Sequence, residues 1–394
     1  MKNFIFLSPN FPTNYWKFCR ELKNNGFNVL GIGDCPYDNL AVEVKTSLNE
    51  YYWVPNLGNY DDVYRAVAFF AFKYGKIDYI ESNNEYWLER DANLRTDFNV
   101  TTGFNAKEIK RVKYKSEMKK YYKKAGVKVA RHRLVKSMKG CSDFIKQVGY
   151  PVIVKPDNGV GANATYKLHN DDELKAFLKA KPKNYIMEEY IHAVVNSYDA
   201  IVDGNGNPVF ETGLVEMGDL MDIVNSNDNS LYYYLNNPLD DVKKLGRKVL
   251  KAFNVKSRFV HFEFFRLLSD QYIGKKGEVV ALEVNMRPAG GISPDMMNYA
   301  NSTDVYKIWA DVMAFDSTLV PEGEKYFCAF AGRRDGKNFV YSEQDIIDRY
   351  RSNLKSIERV PEALSGCMGN LSFIANFKTR EQMQEFFDDI IKEY

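Results

Sequence analysis

Glu283, Asn285 and Arg287 stand on alternate positions where an apolar run, residues 279–282, gives out. Alternate side chains of an extended strand leave the same face, so an acid, a carboxamide and a guanidinium come side by side. Carboxylate and amide oxygens are hard ligands of the kind Mg²⁺ takes, and a guanidinium grips a phosphate or carboxylate with two parallel hydrogen bonds. The bland alternative is an exposed strand face with a chance ion pair. Pro288, Gly290 and Gly291 follow and end the strand.

A second acid strengthens the chemical reading. Glu263 lies inside the aromatic-rich stretch 258–268, RFVHFEFFRLL, where an unpaired carboxylate is costly. Residues 269–276 are polar and contain glycine, as a hairpin loop should. The two runs then pair antiparallel, with Glu263 beside Glu283. Two carboxylates and Asn285 would make a divalent-cation site with space left for nucleotide phosphates. His261, two residues before Glu263, shares that face, although a lone histidine is more often structural.

Upstream, VIVKPDNGVGANAT reads as a strand ending at Lys155 and a loop carrying Gly159 and Gly161. An ammonium beside flexible backbone amides suits a triphosphate. The loop is neither a Walker A sequence nor a strand-to-helix turn, which excludes those phosphate-binding folds. Residues 184–191, NYIMEEYI, read as a strand with the successive acids Glu188 and Glu189. The lysine-rich stretch 107–124 reads as a helix ended by Gly126, most of its lysines forming a solvated face.

The elements that must position these groups begin with strands at 4–7, 27–32 and 77–80. Helices at 13–26, 59–74 and 84–98 alternate with them, the second capped by Asn59 and stopped by Gly75. Such alternation implies an open parallel sheet. The first strand-to-helix turn, SPNFPTN, lacks the glycine fingerprint of a dinucleotide site. Asn10, Asp34, Glu81 and Asn83 at the strand ends read, taken singly, as ordinary loop residues. Further on come strands at 128–136 and 150–155 around a short helix, a helix at 170–179 and a hairpin turn at 203–207. An irregular stretch at 216–235 and a helix at 304–314 follow. From about 321 strand and helix alternate again, ending in an amphipathic helix at 379–391.

A chain of 394 residues is long enough for two or three domains. A formal net charge of +2 offers no electrostatic case for nucleic acid or a membrane surface. The five cysteines show no paired spacing and read as reduced thiols, and no stretch has the length of a membrane span. The expected location is cytoplasmic.

In this order, the strand-ending lysine, glycine loop, paired acids, Glu263 and Glu283-x-Asn285-x-Arg287 resemble the ATP-grasp superfamily over nearly the whole chain. The resemblance implies an α/β and α+β architecture. Residues 1–106 would form an open parallel pre-ATP-grasp domain and 107–320 the ATP-grasp domain, its lid at about 128–190. A small α/β subdomain would occupy 321–394. ATP would be held by Lys115, Lys155, Gly159, Gly161, Glu188, Glu189 and Ile191, the last three on the hinge that recognises adenine. Glu263, Glu283 and Asn285 would take Mg²⁺, for which Mn²⁺ is a substitute. Arg287 and His261 would be catalytic.

Two positions depart from the family pattern. Val195 stands where many members carry a ribose-binding acid, which points to Asn196 or Asp199 instead, and Ala164 replaces a loop glycine. The activity implied is ATP-dependent ligation of a small carboxylate, such as an amino acid, to an amine through an acyl phosphate. Bicarbonate activation, as in carbamoyl-phosphate synthase or biotin carboxylase, and a small-molecule kinase are the alternatives. A nucleotide sensor would have lost its metal ligands. The resemblance admits a homodimer and implies neither nucleic acid nor membrane as partner.

Overall fold

The computed structural model describes residues 1–159, 164–218 and 228–394. Gly161 and the middle of the 216–235 stretch lie outside them. The chain opens with strands β1 (Asn3–Leu7), β2 (Asn28–Gly33), β3 (Glu50–Trp53) and β4 (Tyr79–Glu81). They form a parallel sheet in the order β3-β2-β1-β4. Every residue of β1 is buried, as expected of a strand covered on both faces. The helix Tyr60–Tyr74 begins at Asn59, whose side chain accepts from the Asp61 amide, and ends at Gly75 with φ 83°. Only the left-handed region closes that helix, and glycine reaches it without steric cost.

Some boundaries differ from expectation. The first helix runs over Trp16–Asn24 with no side-chain cap, so Thr13 does not start it. Strand β3, EYYW, sits at the sheet edge, where half-exposed aromatics give no clean apolar signal. The 107–124 stretch divides into helices Lys110–Lys113 and Lys115–Lys124, because Tyr114 between them is extended (φ −96°, ψ 119°). Beyond it, β5 (His132–Leu134), β6 (Val152–Pro156), β7 (Tyr166–Leu168) and β8 (Tyr185–Glu189) make a small antiparallel sheet, ordered β5-β8-β6-β7. Only three residues of the expected 128–136 strand pair in it.

The remaining strands build one large antiparallel sheet. They are β9 (Ala193–Val202), β10 (Pro208–Thr212), β11 (Leu214–Glu216), β12 (Ser230–Tyr234), β13 (Arg258–Leu267), β14 (Val279–Asn285), β15 (Phe327–Arg333), β16 (Leu354–Arg359) and β17 (Leu371–Phe377). The order is β14-β13-β9-β11-β12-β15-β17-β16, with β10 also on β9, so strands after residue 321 continue this same sheet. Ser230–Tyr234 is regular strand, contrary to the irregular stretch expected there. Among the described residues no helix is long and apolar enough to cross a membrane.

Buried ion pairs tie the parallel sheet to the large one. Glu81 receives Arg95 at 2.8 Å and also Arg258, whose guanidinium donates to the Met286 carbonyl at 3.1 Å. Glu81 is therefore a clamp between sheets and no ordinary loop residue. Asn83 is buried as well, with its carbonyl accepting from the Tyr15 hydroxyl.

The helix Asp240–Phe253 covers the large sheet through Gly246, where an added Cβ would lie 2.3 Å from the Tyr198 ring. Overpacking of this kind costs about 1–3 kcal/mol. Gly246→Ala should lower stability by that amount, read as a shift in urea midpoint at unchanged slope.

Candidate active site

The hairpin of β13 and β14 sets Glu263 directly opposite Glu283, and His261 opposite Asn285. Asn285 approaches Glu263 at 3.4 Å. Glu283 receives the Lys115 ammonium at 2.9 Å, and Glu263 meets His261 Nε2 at 3.1 Å. The other ring nitrogen of His261 lies 2.7 Å from Asp199, which is fully buried. Burial disfavours the imidazolium, yet the two carboxylates outweigh it and lift the His261 pKa to about 10. Burial likewise raises the Glu263 pKa, and His261 with Arg287 and Lys115 brings it below the ordinary value. The pair is thus a charged one, imidazolium against carboxylate.

Lys115 is fixed from the opposite direction. Asp157, just past β6, accepts from the Ser116 amide and hydroxyl, both at 2.7 Å, and so caps the Lys115–Lys124 helix. Its carbonyl takes the Lys115 amide at 2.8 Å. The Lys115 ammonium also donates to the Gly159 carbonyl at 3.2 Å. One contact therefore ties the helix, the loop start and the acid pair together. A Cβ on Gly159 would stand 2.8 Å from Pro156, so that loop turns tightly against the strand end.

On the small sheet, Glu188 lies between Lys119 at 2.7 Å and Lys155 at 3.0 Å. Burial would raise the pKa of its carboxyl, but Lys119 and then Lys155 drive it down to about 2. Two ammoniums on one carboxylate leave local positive charge, which an anion can meet. Arg287 lies 3.5 Å from Glu85, which Lys113 also contacts at 2.7 Å. Lys115, Lys155, Glu188, Glu189, Ile191, Glu263, Glu283, Asn285 and Arg287 all line one cleft.

Several expected roles change. Glu189 is engaged by Arg131, through the amide and the guanidinium, both at 2.7 Å. Glu188 is paired with Lys119 and Lys155, so both hinge carboxylates already meet a cationic side chain. Asp199 is buried under His261, and Asn196 accepts from Arg266 at 2.9 Å, while Val195 lines the cleft. Neither alternative ribose ligand reaches it. Ala164 takes φ 56°, a left-handed conformation that explains the glycine expected there. Lys119, Glu85 and Lys113 went unread because each looks like one more surface charge in sequence.

Among the described residues no group of three or more His, Cys, Asp or Glu forms a metal cage. The opposed carboxylates and Asn285 instead suit Mg²⁺, which is commonly held by one or two carboxylates together with substrate phosphates.

The small and the large antiparallel sheet together wall this cleft. Residues 114–201 match the family model described as carbamoyl-phosphate synthase L chain, ATP binding domain. The carbamoyl phosphate synthase large chain of Halobacterium salinarum is 27% identical over 191 residues, covering 46% of this chain and 17% of that protein. The match thus spans about a sixth of that relative's length. The L-amino acid ligase of Bacillus licheniformis superposes with a TM-score of 0.72 at 12% identity, covering 99% of this chain and 98% of that one. The biotin carboxylase domain of Hydrogenobacter thermophilus 2-oxoglutarate carboxylase, crystallised with MgADP, ADP and bicarbonate, gives 0.70 at 15% identity over 98% and 88%. The chain has the ATP-grasp fold.

The Glu188 carboxyl, depressed in the folded state from an ordinary value near 4.3 to about 2, stabilises the fold above about pH 4.3 and loses that contribution as pH falls toward 2. The contribution is about 3 kcal/mol. Glu188→Gln should destabilise the protein at pH 7 by about 3–5 kcal/mol, since buried Lys119 and part-buried Lys155 lose their partner. The gap from wild type should narrow as pH drops from 5 to 3, followed by urea unfolding.

Proposed function

We propose that the protein is an ATP-dependent ligase that joins a small carboxylate to an amine through an acyl phosphate. One observation carries this reading. A carboxylate pair in register, a carboxamide, two lysines and an arginine converge on a single cleft. Attack of a carboxylate on the γ-phosphate needs charge neutralisation and alignment and no protein nucleophile. Lys155 and Lys115 are the phosphate cations, with Gly159 at the start of the covering loop. The adenine is held by the hinge backbone at Glu189 to Ile191, given that the side chains of Glu188 and Glu189 are committed elsewhere. Glu263, Glu283 and Asn285 hold Mg²⁺, which when bound offsets phosphate charge. Arg287 steadies the transferred phosphoryl or the acyl group. His261 keeps Glu263 ionised and oriented.

Bicarbonate activation is the second reading, favoured by the likeness to the biotin carboxylase domain. Against it stands the cavity that adjoins the cleft at Glu216, about 250 Å³ and lined by His261, leucines and Met368. Bicarbonate needs no such wall.

Mg²⁺·ATP at 100 times its dissociation constant should stabilise the fold by about 2.7 kcal/mol, seen as a raised Tm. Lys155→Ala should diminish that shift, whereas Glu283→Gln should keep the fold and lose turnover. An unchanged melting curve in millimolar Mg²⁺·ATP counts against nucleotide binding.

Acyl-phosphate chemistry moves one carboxylate oxygen into phosphate. With a heavy-oxygen-labelled acid, the released phosphate should weigh two mass units more per transferred ¹⁸O, on the order of one oxygen per turnover. Formation of AMP and pyrophosphate, or a stable phosphorylated product, would sink the ligase reading.

A further inference from the structure

Next to the nucleotide cleft lies the 250 Å³ cavity, which shares Glu216 with that cleft and is bounded by His261 on the same side. Its volume is below the 300 Å³ or so at which pockets for drug-sized ligands begin, the scale of a small metabolite. Leu214, Leu231, Tyr232, Leu364 and Met368 supply its apolar wall, and among the described residues no lysine or arginine lines it. Bringing a phosphate or a second carboxylate against that apolar wall would cost desolvation energy.

The far wall is the helix Glu362–Met368, whose position is closely determined. Arg334 donates to the carbonyls of Ser365 and, at 2.7 Å, Gly366. A Cβ on Gly332 of β15 would fall 1.9 Å from the Met368 carbonyl oxygen, so the helix end rests on bare backbone. Beyond Met368 a second cavity of about 280 Å³ opens, bordered by Lys17, Asp295, Glu358 and Arg359. Gly291, Leu364 and Met368 line both cavities. The Met368 sulfur would lie 3.1 Å from a Cβ on Gly291, which shows how closely the thioether seals the gap.

We propose that Met368 is the specificity-determining residue. It closes the cavity beside His261 and restricts the acyl donor to a small acid with an apolar side chain that stops at the thioether. This rests on the ligase reading and specifies its substrate.

Two measurements test it. Cys367 is exposed and lines the cavity, whereas Cys19, Cys141 and Cys328 are buried. Its alkylation by iodoacetamide, followed by peptide mass spectrometry, reports occupancy without turnover. In the presence of Mg²⁺ and a non-hydrolysable ATP analogue, leucine or methionine should slow Cys367 alkylation, and aspartate or phosphoserine should not. ADP release with a common amine should favour leucine over aspartate and phosphoserine at least tenfold. Met368→Ala should join the two cavities and raise kcat/KM for tryptophan relative to leucine at least tenfold. Met368→Leu should keep the wild-type order, and neither variant should alter the Tm shift given by Mg²⁺·ATP. Preference for the acidic or phosphorylated acids, or an unchanged tryptophan-to-leucine ratio in Met368→Ala, overturns the proposal while leaving the ligase intact. Absence of both the Mg²⁺·ATP shift and ADP release with every acid overturns the ligase reading and this one together.

Discussion

Charge buried without water is the constraint on which the site depends. Lys115, Lys119, Glu188 and Asn285 are each at most 5% exposed, and such groups are tolerated only when paired. The pairs here are drawn from separate pieces of chain: Lys119 from a helix, Lys155 from β6, Glu188 from β8 and Glu283 from β14. Each partner must therefore be held to within a hydrogen-bond length by something other than its own pair. Asp157 does this for the helix by capping it from the loop after β6, and the hairpin ladder does it for the acids.

The parallel sheet takes part in the same task although, among the described residues, it contributes no group to the cleft. Glu81 holds Arg258 at the start of β13, and that guanidinium also grips the carbonyl of Met286, just after β14. Glu85 meets Arg287 itself. On the other flank Asn14 donates to Asp295 at 2.9 Å and to the Gly291 carbonyl at 3.2 Å, while Lys17 pairs with Asp295 at 2.6 Å. The segment 286–295, which carries Arg287 and one wall of the apolar cavity, is thus pinned at both ends by Glu81 through Arg258, Glu85, Asn14 and Lys17. Pairs this deep act mainly by fixing geometry, because much of their Coulomb energy offsets lost hydration.

What sequence conveyed follows from the range of each signal. The pairing of Glu263 with Glu283 was legible because two apolar runs and a polar loop leave few registers. Asn59, Asn170, Asp304 and Thr379 were legible as helix starts because a cap acts within three residues. Lys119 and Glu188, 69 positions apart in sequence, give no local sign of their pairing. Buried Lys115 and Lys119 are the same residue type as exposed Lys120 and Lys124, and only tertiary packing separates them. Asp199 was read as a sugar ligand because a strand acid near a nucleotide site invites it, whereas the sheet places it behind His261. The break at Tyr114 is equally silent, since tyrosine is neither a helix breaker nor a cap.

The polar face of the large sheet follows from one irregularity in its ladder. Across β9, β13 and β14, Asp199, His261 and Asn285 form one row, and Ser197, Glu263 and Glu283 the next row on that face. Tyr198, Phe262 and Val284 between them point into the core on the reverse side. Strict alternation along β14 would send Leu282 into that core with Val284, yet Leu282 lines the cleft beside Glu283. The register explains this: Glu263 faces Glu283 but Phe264 faces Ala281, so Leu282 is an extra residue in a bulge. The bulge shifts the phase of β14 by one place, with Ala281 packed inward below it and Glu283 and Asn285 outward above it. Without it, the apolar run that anchors the strand and the acid–amide pair that faces the cleft could not both lie on their proper sides. The chemistry of the site is therefore set by a local change in strand phase, held in place by the aromatic core behind it.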